Sequence, residues 1–103
     1  MVLYLWSMIE NLNKVFESRV RLGIMSVLMV NEWVPFKELK TLLKVTDGNL
    51  ASHLSALEKK ALIAIHKEFV GKKPQTTYNA TTEGRLLFKQ HLAALEALIK
   101  QKP

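Results

Sequence analysis

The feature that most constrains the fold is a change of hydrophobic period past the middle of the chain. Up to about residue 60, apolar residues recur at the three- and four-residue spacing of a helix face. From residue 63 onward, Ile63 and Ile65 alternate with Ala64 and His66, which is the period of a strand. A second β-rich run follows at residues 76–80, after a loop at 70–75 that contains glycine and proline. The pattern predicts a β-hairpin over residues 63–80 in an otherwise helical chain.

Helices are predicted on both sides of this hairpin. They cover about residues 3–12, 19–30, 36–43, 47–60 and 82–100, with Ser18, Thr46, and Thr81 or Thr82 as N-caps. A tight turn separates the third helix from the fourth, so residues 36–60 form a helix-turn-helix and the hairpin after it is a wing. A chain of 103 residues suits one domain, residues 1–103. The predicted fold class is mainly α with a small β-hairpin: a winged helix-turn-helix with extra N- and C-terminal helices.

The fourth helix has the features of a DNA recognition helix. Its leucines recur on one face, which we expect to be buried. The outward residues near the helix start are small or hydrogen-bonding, as contacts to base edges in the major groove require. The candidate base-contacting residues are Asn49, Ser52 and His53.

The charge balance points to a polyanionic partner. Lys plus Arg is 15 and Asp plus Glu is 9, which gives a formal net charge of +6. Lysines at a hairpin tip suit the DNA backbone, and a glycine at a helix N-terminus lets the main chain approach a phosphate. The candidate backbone contacts are Lys72 and Lys73 of the wing with Thr46, Gly48, Lys37, Lys40, Lys44 and Lys60.

No feature of the sequence indicates catalysis, a bound cofactor or a metal site. Cysteine is absent, and the three histidines show no metal-ligand spacing. The glycines are isolated, so no phosphate-binding loop is present. Ser52 and His53 are adjacent on a helix and point apart, so they cannot form a nucleophile–base pair. We expect neither an enzyme nor a bound cofactor.

Several motifs together resemble the small winged-helix transcriptional regulators of the broad ArsR/MarR-like superfamily. Residues 45–60, VTDGNLASHLSALEKK, look like their recognition helix, and residues 69–78, FVGKKPQTTY, look like their wing. Residues 81–85, TTEGR, and 19–25, RVRLGIM, resemble the starts of their last and second helices. The resemblance implies a homodimer that binds a near-palindromic operator and regulates transcription. Ala61 departs from the family, which usually has glycine there, and the lack of cysteine argues against the metal-sensing branch.

The two terminal helices carry more apolar surface than one small domain covers, which indicates a closed homodimer. The candidate interface residues are Leu3, Leu5, Trp6, Ile9, Leu87 and Leu98. The N-terminal apolar run is too short to span a bilayer and lacks the basic start and cleavage site of a signal peptide. We therefore expect a cytoplasmic protein that does not engage membranes.

Two further possibilities remain open at the level of sequence. A winged helix also serves as a protein–protein interaction module without specific DNA binding, and the fold alone does not separate the two roles. A third possibility is an apolar effector bound between the dimer helices, in a pocket lined by Trp6, Met8 and Phe88, but the sequence does not distinguish a ligand pocket from a filled core. The polar outward face of the fourth helix favours DNA.

Overall fold

A computed structural model describes residues 2–100, with side chains from residue 5 onward. The helices are α1 (Val2–Glu10), α2 (Arg19–Val30), α3 (Phe36–Leu43), α4 (Asp47–Lys59) and α5 (Thr82–Lys100). The strands are β1 (Val34–Pro35), β2 (Ile63–Val70) and β3 (Lys73–Ala80), and a 3₁₀ turn covers Lys14–Phe16. The fold class predicted from the sequence is confirmed.

The predicted caps place the helix starts correctly. The Ser18 hydroxyl accepts a hydrogen bond from the backbone N–H of Arg21, and Thr46 accepts one from that of Asn49. Thr81 caps α5 in the same way, by accepting from the N–H of Gly84. Each bond satisfies one of the donors that a helix start leaves unpaired.

The first helix is shorter than predicted, because it ends at Glu10 instead of residue 12. The N–H groups of Asn11 and Leu12 bond three residues back, to Met8 and Ile9, which closes the helix with a tighter turn. Asn13 is then extended and caps the 3₁₀ turn with its side chain.

The hairpin covers the predicted residues 63–80, but its strands are longer and its loop is shorter than the sequence indicated. β2 pairs with β3 in antiparallel register from Ile63 opposite Ala80 to Val70 opposite Lys73. Only Gly71 and Lys72 remain as the loop, and Gly71 has a φ of 66°, which glycine adopts without strain. The sequence did not predict β1, whose two residues pair with Thr77 and Tyr78 and complete a sheet of order β1-β3-β2.

The core lies between the helices and the base of the hairpin. The leucines of α4 point inward as predicted, since Leu50, Leu54 and Leu57 are all buried. Phe16 from the 3₁₀ turn meets Phe88 of α5 edge to face, with ring centroids 5.2 Å apart. Helix α4 is therefore fixed to the domain along its whole apolar side.

The junction between α4 and β2 is closely packed against the start of α5. Ala61 takes the left-handed conformation, with a φ of 59°, at the position where the family usually has glycine. The Thr81 hydroxyl donates to the Ala61 carbonyl at 2.7 Å. Gly84 lies directly over Leu62: a Cβ on Gly84 would stand 2.0 Å from the Leu62 carbonyl oxygen. This contact sets the angle at which α5 leaves the domain.

Both the hairpin and α5 extend beyond the core. β2 is exposed from His66 to its tip, and the last nine residues of α5 include no buried side chain. The radius of gyration is accordingly 15.9 Å, against about 13 Å for a compact chain of this length. Among the described residues, no helix is long and apolar enough to cross a membrane.

Candidate nucleic-acid interface

The turn between α3 and α4 is stabilised by one left-handed residue and one ion pair. Lys44 ends α3 with a φ of 55°, and its N–H bonds to the Lys40 carbonyl at 2.9 Å. The Lys40 ammonium lies 2.8 Å from the Asp47 carboxylate, across the turn. Lys40, predicted to contact the DNA backbone, therefore also neutralises the one acidic side chain at the start of the recognition helix.

Two of the three predicted base-contacting residues have free polar groups. Asn49 and Ser52 are exposed, and their side chains make no hydrogen bond within residues 5–100. Gly48, one residue before Asn49, is also exposed, and a Cβ there would have no atom within 4 Å. The first two turns of α4 thus offer exposed hydrogen-bonding groups and open space for a partner.

The third predicted base-contacting residue, His53, is half-buried and held by another side chain. Its Nδ1 accepts a hydrogen bond from Nε of Arg21 on α2 at 3.0 Å. The same guanidinium donates through Nη1 to the Val15 carbonyl at 3.3 Å. Burial, followed by the nearby positive charge of Arg21, lowers the pKa of His53 below its usual value, so the ring stays neutral at pH 7. The sequence analysis missed Arg21, which stands 32 positions from His53 in the chain.

The wing places its two lysines at the exposed tip, as predicted. Lys72 lies in the turn and Lys73 begins β3, and neither takes part in an ion pair in the part of the chain that the structure describes. The tip also exposes two apolar side chains, Phe69 and Val70, of which Phe69 is 74% exposed. The wing tip therefore combines lysines that form no ion pair among the described residues with exposed apolar side chains.

The other residues predicted to contact the DNA backbone are also exposed: Thr46, Lys37, Lys44 and Lys60. Thr46 already uses its hydroxyl oxygen as the cap of α4, although its hydrogen remains available to donate. No group of histidine, aspartate and glutamate side chains capable of holding a metal ion occurs among the described residues. The exposed lysines supply the positive charge that neutralises phosphates in a complex with DNA.

The predicted dimer residues divide into exposed and half-buried ones. Leu5, Trp6 and Ile9 of α1 are exposed, whereas Leu87 is half-buried against the core and Leu98 is also half-buried. The side chain of Leu3 lies outside the described residues. The apolar residues that α5 exposes are Leu86, Leu92, Leu95 and Ile99; none is among the individual interface candidates, although the sequence analysis assigned the apolar surface of this helix to the dimer.

The residues suggested for an effector pocket between the dimer helices differ in exposure. Phe88 is buried in the core, Met8 is half-buried and Trp6 is 62% exposed. Two surface pockets are lined by residues of the wing, of the segment before α3 and of the first turn of α3.

Comparison with known proteins places these features in a family context. Residues 20–99 match the family described as winged helix DNA-binding domain. An uncharacterized protein of Methanocaldococcus jannaschii is 34% identical over 87 residues, which cover 84% of this chain and 95% of the relative. The structure of a transcriptional regulator homologue from Pyrococcus horikoshii OT3 is 32% identical, covers 92% of both chains and superposes with a TM-score of 0.80. MepR of S. aureus, crystallised in complex with DNA, is 17% identical over 94% of this chain and 86% of MepR, and has the same fold with a TM-score of 0.72.

Proposed function

The chain belongs to the winged helix DNA-binding domain family, and on that premise we propose that it is a sequence-specific transcriptional regulator that binds double-stranded DNA as a homodimer. The observation that carries this proposal is the first two turns of α4, where Asn49 and Ser52 are exposed without intramolecular partners and Gly48 is open to solvent. Polar groups left unpaired at the start of a recognition helix suit hydrogen bonds to bases. The proposed role is non-catalytic.

In the proposed complex, α4 enters the major groove with its N-terminal half. Asn49, Ser52 and His53 face the base edges, and the main chain at Gly48 lies against a phosphate. Lys72 and Lys73 hold the flanking backbone, while Lys37, Lys40, Lys44 and Lys60 add positive charge around the groove. The Lys40–Asp47 pair keeps the Asp47 carboxylate from repelling the phosphates.

The proposed dimer uses the terminal helices. Trp6 of α1 and Ile99 of α5 are 62% and 82% exposed, and the two helices pack against each other. Exposed apolar side chains on two adjoining helices are stabilised when a second copy covers them. Two-fold symmetry then places the two recognition helices in successive major grooves, about 34 Å apart. The structure of MepR with DNA supports DNA as a partner for this fold.

The test is fluorescence anisotropy of the purified protein on DNA from its own upstream region, at two salt concentrations, with scrambled DNA as competitor. We expect binding that resists the competitor and weakens as salt rises, because phosphate contacts release counterions. Salt-sensitive binding without preference for the upstream DNA would contradict sequence specificity.

A second role as a protein-interaction module is favoured by one observation, the exposed Phe69 and Val70 at the wing tip. Apolar side chains of this size suit a protein surface better than a phosphate backbone. Absence of DNA binding even at low salt would favour this role, and a polar replacement of Phe69 would then abolish the partner contact.

A further inference from the structure

The contact between Arg21 and His53 has a chemical consequence for the recognition helix. Arginine is protonated at every physiological pH, and its Nε always carries a hydrogen. At 3.0 Å, Nε of Arg21 donates that hydrogen to Nδ1 of His53. Nδ1 must therefore be unprotonated, and the hydrogen of the neutral ring is on Nε2.

The second ring nitrogen of His53 faces solvent. No nitrogen or oxygen of a buried or half-buried side chain is enclosed without a partner in the described part of the chain. Nε2 of His53 makes no hydrogen bond there, so it is accessible. Arg21 is itself anchored, since Nη1 donates to the Val15 carbonyl at 3.3 Å. The ring is therefore fixed on its inner side and presents one N–H on its outer side.

We propose that Arg21 is a positioning residue: it holds His53 so that the ring can only donate a hydrogen bond, through Nε2, and His53 thereby recognises guanine in the major groove. Guanine is the base whose major-groove edge presents two acceptors, N7 and O6, and no donor. Adenine N7 and thymine O4 also accept, but each is a single acceptor beside an amino or a methyl group, and cytosine presents only a donor, so guanine is the preferred partner of a lone N–H donor. The inference rests on the proposed function and specifies one base pair of each half-site.

The neutral state of the ring agrees with this role. Burial and the charge of Arg21 both lower the pKa of His53. A protonated ring would carry hydrogen on Nδ1 as well, and that hydrogen would face the Arg21 donor. The contact therefore selects one tautomer of the neutral ring over the range in which His53 remains unprotonated.

The first measurement concerns the free protein and needs no DNA. Long-range ¹⁵N–¹H spectra of the histidine rings at pH 7.5 report which nitrogen carries the hydrogen. We expect His53 as the Nε2–H tautomer in the wild-type protein and a mixture of tautomers in Arg21→Met. Arg19→Met is the matched control, because Arg19 is exposed on the same helix and the charge change is the same. A hydrogen on Nδ1 of His53 in the wild-type protein would overturn the proposal.

The second measurement concerns base choice. Sites are selected from a random DNA pool with the wild-type protein, and each position is then exchanged in turn. We expect one guanine in each half-site whose preference is lost in both His53→Ala and Arg21→Met but kept in Arg19→Met. Replacing this guanine by 7-deazaguanine should weaken wild-type binding about 3- to 10-fold, as for one hydrogen bond, and leave His53→Ala unaffected.

The two possible failures are distinguishable. A selection that enriches no sequence overturns the proposed function, and base reading by His53 with it. A selection that enriches a site whose base preferences all survive in His53→Ala overturns only the present inference. The wild-type spectrum and the His53→Ala selection keep the proposal testable even if Arg21→Met fails to fold.

Discussion

The backbone N–H of Asn13 donates a hydrogen bond to Nδ1 of His91 at 3.0 Å, although 78 residues separate the two in the chain. His91 is buried in α5, with its ring 5.4 Å from that of Phe16. The Asn13 side chain in turn accepts from the N–H of Val15, whose carbonyl accepts from Arg21. A continuous series of hydrogen bonds therefore joins α5 to the recognition helix, and it has a histidine acceptor at each end.

We expect the free energy of unfolding to fall as the pH drops below about 6.5. Burial lowers the pKa of His91, an effect that Glu17 partly offsets, and burial with Arg21 lowers that of His53. Below about pH 6.5 the unfolded chain binds protons that these folded rings still resist, so protonation favours unfolding. Above that pH the full stability is present.

Urea denaturation between pH 5 and 8 measures this dependence. His91→Gln keeps an acceptor for the Asn13 N–H but does not titrate, so the loss of stability toward acid should be smaller in this variant. His53→Gln should remove a further part. An identical pH dependence in the wild-type protein and the double variant would show that other groups cause the acid loss.

Alanine substitutions at Gly84 and Gly48 should change the free energy of unfolding in opposite directions. In Gly84→Ala the new Cβ would stand 2.0 Å from the Leu62 carbonyl oxygen, so α5 must shift, at a cost of at least about 1–3 kcal/mol. In Gly48→Ala the Cβ meets no atom within 4 Å, and helix propensity should raise stability by about 0.5–1 kcal/mol. Thermal denaturation measures both changes. If the main chain at Gly48 approaches a phosphate, Gly48→Ala should nevertheless weaken DNA binding, whereas unchanged binding would place the phosphate elsewhere.

The left-handed conformation of Ala61 lowers the stability of the protein, and a glycine at this position should raise it. A φ of 59° costs a residue with a Cβ about 1–2 kcal/mol, of which the greater freedom of glycine in the unfolded chain cancels part. Ala61→Gly should therefore raise the free energy of unfolding by about 0.5–1 kcal/mol. Ala51→Gly, in the exposed interior of α4, is the control and should lower it by about 1 kcal/mol. Destabilisation by both substitutions would contradict the left-handed assignment at Ala61.

Local signals explain what the sequence predicted correctly. The cap at Thr46 and the inward leucines of α4 depend on residues within a few positions of each other. The residue type at the helix start predicts the cap, and the helical spacing of the leucines predicts the buried face. β1 has two residues, too few to carry any period, and its pairing with Thr77 and Tyr78 depends on the finished hairpin. Arg21 and His53 lie on two different helices and are 32 positions apart in the chain, so no local sequence pattern predicts their contact. The polar face of α4 was thus predictable, whereas the hydrogen bonding of His53, one of its proposed base-contacting residues, was not.

The wing lysines should contribute affinity without specificity. In the variant with Lys72→Ala and Lys73→Ala, binding to specific and scrambled DNA should weaken alike, because phosphate contacts carry no base information. The slope of log affinity against log salt should flatten by about 0.9 for each lost contact. Anisotropy titrations over several salt concentrations measure the slope. The control variant, with Lys89→Ala and Lys100→Ala on α5, has the same change of net charge and should keep the slope. An unchanged slope in the wing variant would remove the wing from the interface.

The terminal helices should control the oligomeric state. Trp6→Glu and Ile99→Glu each place a carboxylate on the exposed apolar surface of α1 or α5, where burial against a second copy would leave it unpaired. We expect both variants to be monomers by sedimentation at concentrations where the wild-type protein is a dimer, and their DNA affinity should fall because each half-site then binds alone. Val30→Glu is the matched control, since Val30 is 81% exposed at the end of α2 and outside the proposed interface. A wild-type protein that sediments as a monomer would contradict the dimer outright, and a dimer that persists in both variants would move the interface away from these two helices.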